Sequence, residues 1–267
     1  MEKNKSEKIF KQYLNANGYQ EKWSYEPTIP GKNKKPDYML EYNNSSYLFE
    51  VKELRKKPDE PNFPAYINPY KSLRSEINEA RGKFKEYKED SCSLVVFNID
   101  DKQARLAPQD VFAAMLGNLG FTMDYDSGKG EAVTGSERNF FGKNGKMIDY
   151  KGNQPQNTTI NAIIVLEEFR DNREVEKALR REVTKQNRHI SIIEKLDIRM
   201  KLYEDYHVEV VPRVVVIENP FAKITFPSDL FCGIFDERWR IQNDKIERVF
   251  AGEALKEIEN LKGDIET

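Results

Sequence analysis

The segment PDYMLEYNNSSYLFEVK, residues 36–52, carries the clearest structural pattern in this chain. Two runs within it, residues 36–42 and 46–52, alternate between apolar and polar side chains as half-buried strands do. Asn43 and Asn44 lie between the runs, and asparagine accepts the positive φ that a two-residue type I′ turn requires. The stretch therefore predicts a β-hairpin.

The register of this hairpin decides which side chains meet. A two-residue turn pairs Tyr42 with Ser45, and counting back from that pair places Asp37 opposite Glu50. Directly opposed residues share a sheet face, with Cβ atoms about 5 Å apart. Lys52 lies on the same face because side chains alternate along a strand. A loop one residue longer would put the two carboxylates on opposite faces.

Two carboxylates and a lysine on one face form a candidate metal site. Hard cations such as Mg²⁺ and Mn²⁺ take carboxylate oxygens as ligands, so Asp37 and Glu50 are the candidate ligands. The alternative is a solvent-facing strand with scattered charges. Residues 47–51 are apolar enough for a central strand, and such a strand has little room for an unpaired carboxylate. The apolar setting of Glu50 therefore favours a metal site over a solvent-facing strand.

The Pro-Asp pair at positions 36–37, followed by Glu50-X-Lys52 on a second strand, resembles the motif of the PD-(D/E)XK nucleases. These are restriction-endonuclease-like phosphodiesterases. The resemblance covers residues 5–100, where the predicted order is helix, strand, strand, helix, strand. It implies an α/β fold with a restriction-endonuclease-like core, in which helices flank a mixed central sheet. The remainder is expected to be an elaborated C-terminal half.

The resemblance also implies chemical roles. Asp37 and Glu50 would hold Mg²⁺ or Mn²⁺, together with the backbone carbonyl of Val51. Lys52 would position or activate the attacking water and offset charge on the transition state. The implied substrate is nucleic acid, DNA foremost, and the implied setting is restriction or mobile-element defence. Many members of the superfamily act as homodimers.

Glu7 is a further candidate, with an alternative explanation. It shares a helical face with Phe10 and Leu14, so it can point toward the sheet. The resemblance implies an acidic residue on this first helix that completes the metal site. A capping box formed with Asn4 explains the same residue equally well, since an acid in the first turn is favoured by the helix dipole.

Lys83 is the last candidate. The resemblance implies a lysine or glutamine on the helix predicted at 71–89, near the phosphate or the water. Lys83 matches that position, although Arg81 competes for it and Gly82 disturbs the local helix. The alternative is a solvated lysine beside the apolar stripe of the helix.

Periodicity and turn residues predict the other elements of a single nuclease-like domain over residues 1–267. Helices are expected at 5–17, 71–89, 109–119, 172–204 (long or broken) and 253–262, and strands at 93–99, 159–168 and 207–217. Proline makes residues 55–70 a loop, and Pro212 favours an edge strand or a bulge. Residues 120–158 are expected to be an insertion of loops or small hairpins.

Charge is unevenly distributed along a chain whose net charge is −2. Residues 1–90 carry 18 Lys and Arg against 15 Asp and Glu, whereas the remainder carries 25 against 30. Two basic clusters flank the hairpin and would suit phosphate contacts, with solvated loops as the alternative. They are Lys32, Lys34 and Lys35 before it, and Arg55, Lys56 and Lys57 after it.

Other function classes find no support in the composition. No apolar run approaches the roughly 20 residues that span a bilayer, and the charged N-terminus does not resemble a signal peptide. Cys92 and Cys232 are expected to be buried thiols in a reducing cytoplasm, and they are too few for a zinc site. Two competing functions remain open: a catalytically silent nucleic-acid-binding protein with the same fold, and an RNA-directed nuclease.

Overall fold

The computed structural model describes residues 4–54, 70–98, 106–149, 154–186 and 190–266. The helices in these ranges are α1 (Lys5–Ala16), α2 (Tyr70–Phe84), α3 (Pro108–Leu116), α4 (Arg173–Lys185), α5 (Ile192–Asp205) and α6 (Glu253–Glu266). The strands are β1 (Trp23–Tyr25), β2 (Tyr38–Tyr42), β3 (Ser45–Leu54), β4 (Ser91–Asn98), β5 (Gly117–Thr122), β6 (Tyr125–Asp126), β7 (Glu131–Ala132), β8 (Arg138–Asn144), β9 (Ile160–Asp171), β10 (Glu209–Glu218), β11 (Glu237–Gln242) and β12 (Lys245–Ala251).

A mixed eight-stranded sheet organises these elements. Its strand order is β1-β2-β3-β4-β9-β10-β11-β12. The pairs β3–β4, β4–β9 and β10–β11 are parallel, and the other neighbouring pairs are antiparallel. The protein therefore has an α/β fold in which helices flank a large mixed sheet.

Apolar side chains on the two faces of the sheet form separate halves of the core. On one face, Phe10 of α1 packs against Phe49, with ring centroids 5.5 Å apart, in a cluster that also holds Val51. On the other face, Ile77 of α2 is buried in a cluster with Leu48. Each such side chain contributes about 1.5–3 kcal/mol on burial, so β3 is fixed from both sides.

The predicted hairpin is confirmed. Tyr42 pairs with Ser45, and Asn43 and Asn44 have φ values of 49° and 59°, as a type I′ turn requires. The Asp37 amide donates to the Phe49 carbonyl at 3.0 Å, which continues the ladder one residue beyond β2. The register derived from the two-residue turn is therefore the observed one.

Two of the predicted helices have different ends in the structure. The helix predicted at 71–89 ends at Phe84, and the residues after it form turns. The 172–204 segment is broken into α4 and α5, because Ser191 starts a new helix by capping it, with Glu194 completing the capping box.

The C-terminal half contains a hairpin that the sequence patterns did not reveal. Strands β11 and β12 meet at Asn243 and Asp244, whose φ values of 50° and 58° define another two-residue turn. The expectation that Pro212 marks an edge is met locally: β10 lies between β9 and β11, but at Pro212 it pairs only with Glu168 of β9. Proline is accepted there because β11 pairs only with residues 215–217 of β10.

Several smaller expectations have mixed outcomes. The 120–158 segment does contain small hairpins, β5 with β8 and β6 with β7. Cys92 and Cys232 are both free, but Cys232 is exposed rather than buried. The loop expected at 55–70 and its basic cluster of Arg55, Lys56 and Lys57 fall almost entirely outside the described residues. Among the described helices, none has the length and apolarity needed to cross a bilayer.

Substitution of Asn44 tests the turn that sets the register. Asn44 is exposed, so a change there acts through the backbone rather than through packing. Valine is strained at positive φ, and we expect Asn44→Val to lower the free energy of unfolding by about 1–2 kcal/mol in urea denaturation. Asn44→Gly is expected to be neutral or stabilising. Equal stability of Asn44→Val and Ser45→Val, the matched exposed strand position, would contradict the assigned turn.

Candidate active site

A buried carboxylate lies at the centre of the candidate site. Glu50 is on β3, between β2 and β4, and is only 2% exposed. Its side chain points to the sheet face that α2 covers, because its neighbours Phe49 and Val51 belong to the cluster on the α1 face. A carboxylate in this setting needs cations or hydrogen-bond donors around it.

Asp37 is held next to Glu50 by its own backbone. Its amide bonds to Phe49 as described, and its carbonyl accepts the Glu26 amide at 2.9 Å. The Asp37 Oδ2 atom accepts the backbone N–H of Val51 at 2.8 Å. These three bonds fix the side chain beside β3 rather than leaving it at the tip of a loop. The predicted juxtaposition of Asp37 with β3 is therefore observed.

Lys83 joins the two carboxylates. Its Nζ atom lies 3.1 Å from Asp37 Oδ1 and also donates to Glu50 Oε2. The side chain comes from the last turn of α2 and is about one quarter exposed. Of the two interpretations of Lys83, the structure supports a residue within the candidate site over a solvated lysine.

Lys52 lies on the other side of Glu50. Its Nζ atom is 3.2 Å from Glu50 Oε1 and 3.7 Å from Glu79 Oε2 of α2. Glu79 and the half-buried Glu76 are site neighbours that the sequence analysis missed. Their spacing to Lys83, at i, i+3 and i+7 along one helix, is the signal that would have grouped them on one flank of α2.

The loop before Asp37 fastens the end of α2 to this site. Lys34 Nζ donates to the carbonyl of Gly82 at 2.7 Å, and Lys32 Nζ donates to the carbonyl of Glu86. Cations at the end of a helix are favoured by its dipole. Both lysines were candidates for phosphate contact, but they bind the protein here, while Lys35 is exposed. These bonds join the loop before Asp37 to the end of α2, which also carries Lys83.

The ionisation of the cluster follows from burial and proximity. Burial raises the pKa of Glu50, as does the neighbouring Asp37, and Lys83 opposes the shift. Burial lowers the pKa of both lysines, but the nearby carboxylates outweigh it, so the pKa values of Lys52 and Lys83 are raised. Both lysines are therefore cations at neutral pH.

Asp37 and Glu50 are the two carboxylates of this cluster that could hold a cation. The Lys83 ammonium already stands as a cation between the Asp37 and Glu50 carboxylates. A residue in a strand directs its N–H and C=O to the same edge, so the Val51 carbonyl faces the edge where its N–H binds Asp37. Among the described residues no group of three or more His, Cys, Asp or Glu could hold a metal. A metal here would rely on two carboxylates plus oxygens from backbone, water or phosphate, which Mg²⁺ favours.

Glu7 has different partners from those expected. Its Oε2 atom accepts the Tyr25 hydroxyl at 3.1 Å, and its carbonyl accepts the Tyr38 hydroxyl at 3.0 Å. The buried face of α1 packs on the sheet face opposite Glu50. The Asn4 side chain makes no capping hydrogen bond, so the capping box is wrong; Glu53 instead accepts the Ser6 amide at 3.1 Å.

Comparison with known proteins adds no relative: no family model, no curated protein and no solved structure matches this chain.

Neutralising Glu50 tests the electrostatics of the cluster. Because its pKa is raised, the ionised carboxylate is disfavoured in the fold, and the native protein loses stability as pH rises from the ordinary glutamate pKa through the raised value. We expect Glu50→Gln to have a higher free energy of unfolding than the native protein at about pH 7, with the difference shrinking toward about pH 4. Urea denaturation at both pH values measures it.

The exposed Glu41→Gln on the same hairpin is the matched control and should show no such pH-dependent gain. A Glu50→Gln protein that is less stable than the native protein at neutral pH would contradict the expected balance of burial against the two lysines.

Proposed function

We propose that this protein is a metal-dependent nuclease with a restriction-endonuclease-like core, hydrolysing phosphodiester bonds in nucleic acid, DNA in the first instance. The observation that carries the proposal is the convergence of Asp37, Glu50, Lys52 and Lys83 on one face of the sheet. Asp37 and Glu50 would hold Mg²⁺ or Mn²⁺ with the Val51 carbonyl. A divalent ion bound there supplies polarisation of the scissile phosphate and a lower pKa for a coordinated water.

The burial of Glu50 supports a functional role for the cluster of Asp37, Glu50, Lys52 and Lys83. An ionised carboxylate in a central strand costs stability, since its pKa is raised despite two lysines nearby. Apolar residues of similar size are often equally stable or more stable at such positions. Groups that perturb each other in this way are enriched at active sites.

The two lysines have separable roles in this proposal. Lys52 would act as a cation and hydrogen-bond donor toward the attacking water and the developing phosphate charge. Glu79 and Glu50 hold its ammonium group from two sides. Lys83 neutralises the two carboxylates when no metal is bound, and it would contact phosphate once displaced from them.

One observation favours a second function. The Asp37 and Glu50 oxygens all have protein partners, namely Lys83, Lys52 and the Val51 amide. An ion-pair network balanced in this way is also what a catalytically silent nucleic-acid-binding protein with the same fold would keep. The two functions differ in whether a divalent ion produces cleavage.

A cleavage assay distinguishes them. Plasmid DNA, single-stranded DNA and an RNA of matched sequence are incubated with the purified protein and Mg²⁺, Mn²⁺ or EDTA. We expect metal-dependent cutting that falls about 10²–10³-fold in Lys52→Met, because one transition-state donor is lost. Asp37→Asn should abolish cutting by removing a metal ligand.

Glu41→Gln, an exposed substitution on the same hairpin, is the control and should cut like the native protein. Cutting that survives in both Lys52→Met and Asp37→Asn would place the activity elsewhere. Absence of cutting on all substrates, together with no metal binding in calorimetry, would favour the silent binding protein. Cutting of RNA but not DNA would make the protein an RNA-directed nuclease.

A further inference from the structure

A second basic feature lies on the opposite flank of α2 from the candidate active site. Arg81 and Lys83 are two residues apart in a helix, so they point to nearly opposite sides of it. Arg81 lines a groove of about 380 Å³ together with Lys85, Lys88 and the segment 157–160 that leads into β9. We name this the α2–β9 groove.

The three cations of the α2–β9 groove are exposed and available. None of Arg81, Lys85 and Lys88 forms an ion pair or a side-chain hydrogen bond with any other residue in the described ranges. This contrasts with Lys32 and Lys34 on the other flank, which are engaged with the end of α2. Free cations in a concave surface attract anions.

Other groups beside the α2–β9 groove can also contact an anion. Thr158 and Thr159 line the groove and carry hydroxyl groups that can donate to phosphate oxygens. Lys223 is close by, since its amide donates to the Thr158 carbonyl at 2.9 Å. The acidic residue Glu89 lies 3.4 Å from the Lys223 ammonium and pairs with that fourth cation. The residues that line the groove carry three cations and no carboxylate.

The sheet sets the distance from this groove to Glu50. Strand β9 is two strands from β3, and Glu50 is level with Leu94 and, beyond it, with Ile163. The groove begins at Ile160, so strand spacing and rise place it about 14 Å from Glu50. That distance corresponds to about four base steps of a duplex.

We propose that the α2–β9 groove binds the sugar-phosphate backbone of the nucleic-acid substrate, about four nucleotides from the bond that is cut. The inference rests on the proposed nuclease function and extends it by naming a contact that positions the substrate. Phosphate contacts carry no sequence information, so the groove contributes affinity and register rather than specificity.

The test replaces the three cations with glutamine, as Arg81→Gln, Lys85→Gln and Lys88→Gln combined. The control combines Arg181→Gln, Lys201→Gln and Lys256→Gln, which are exposed on α4, α5 and α6 and change the net charge equally. Binding of a fluorescein-labelled DNA duplex, and of its RNA counterpart, is measured by anisotropy in EDTA between about 50 and about 200 mM salt. Circular dichroism checks that each protein is folded.

We expect the groove variant to bind both duplexes roughly tenfold more weakly, with a dependence of log K on log salt that is shallower by about 3, one for each phosphate contact. The control should bind like the native protein. If the native protein binds and cuts, and the groove variant binds with equal affinity, the proposed role of the groove is contradicted. The proposed nuclease function is then unaffected.

If the native protein binds nucleic acid but does not cut it, and the groove variant binds more weakly, the result supports backbone binding by the groove. The same result contradicts the proposed nuclease function. A native protein that neither binds nor cuts overturns both.

Discussion

An ionised carboxylate that is almost completely removed from water must be matched by cations, and this constraint organises the candidate site. Glu50 is that carboxylate, and Lys83 and Lys52 match it from two sides. Lys83 reaches Glu50 only because α2 lies across β3, and α2 is fastened in place by the loop that precedes Asp37. Hairpin, loop and helix are therefore parts of one electrostatic arrangement.

The hairpin and its register were predictable because they depend on local chemistry. Two asparagines with positive φ allow a two-residue turn, and alternation then assigns each side chain to a face. The same reasoning placed Asp37, Glu50 and Lys52 together before any tertiary contact was known. It did not identify the equivalent turn at Asn243 and Asp244, where β11 and β12 meet.

The parts of the site that come from distant segments could not be predicted in the same way. The helical pattern marked the apolar stripe of α2 but did not show which flank would face β3, so Lys83 remained ambiguous and Glu79 went unnoticed. Lys32 and Lys34 were interpreted as a free basic cluster, because a sequence does not show that a helix end lies beside them. The partners of Glu7 were hidden for a related reason: its helix packs on the opposite face, where the Glu7 carboxylate accepts the Tyr25 hydroxyl.

Under the proposed function, Asp37 and Glu50 would hold a divalent metal ion where the Lys83 ammonium lies in this structure. Anomalous diffraction from crystals of the protein grown with Mn²⁺ tests it directly. We expect a Mn²⁺ peak beside the Asp37 and Glu50 carboxylates and the Val51 carbonyl, with the Lys83 ammonium moved away from both carboxylates. An absent peak, or a peak at other residues with Lys83 still bridging the two carboxylates, would contradict it.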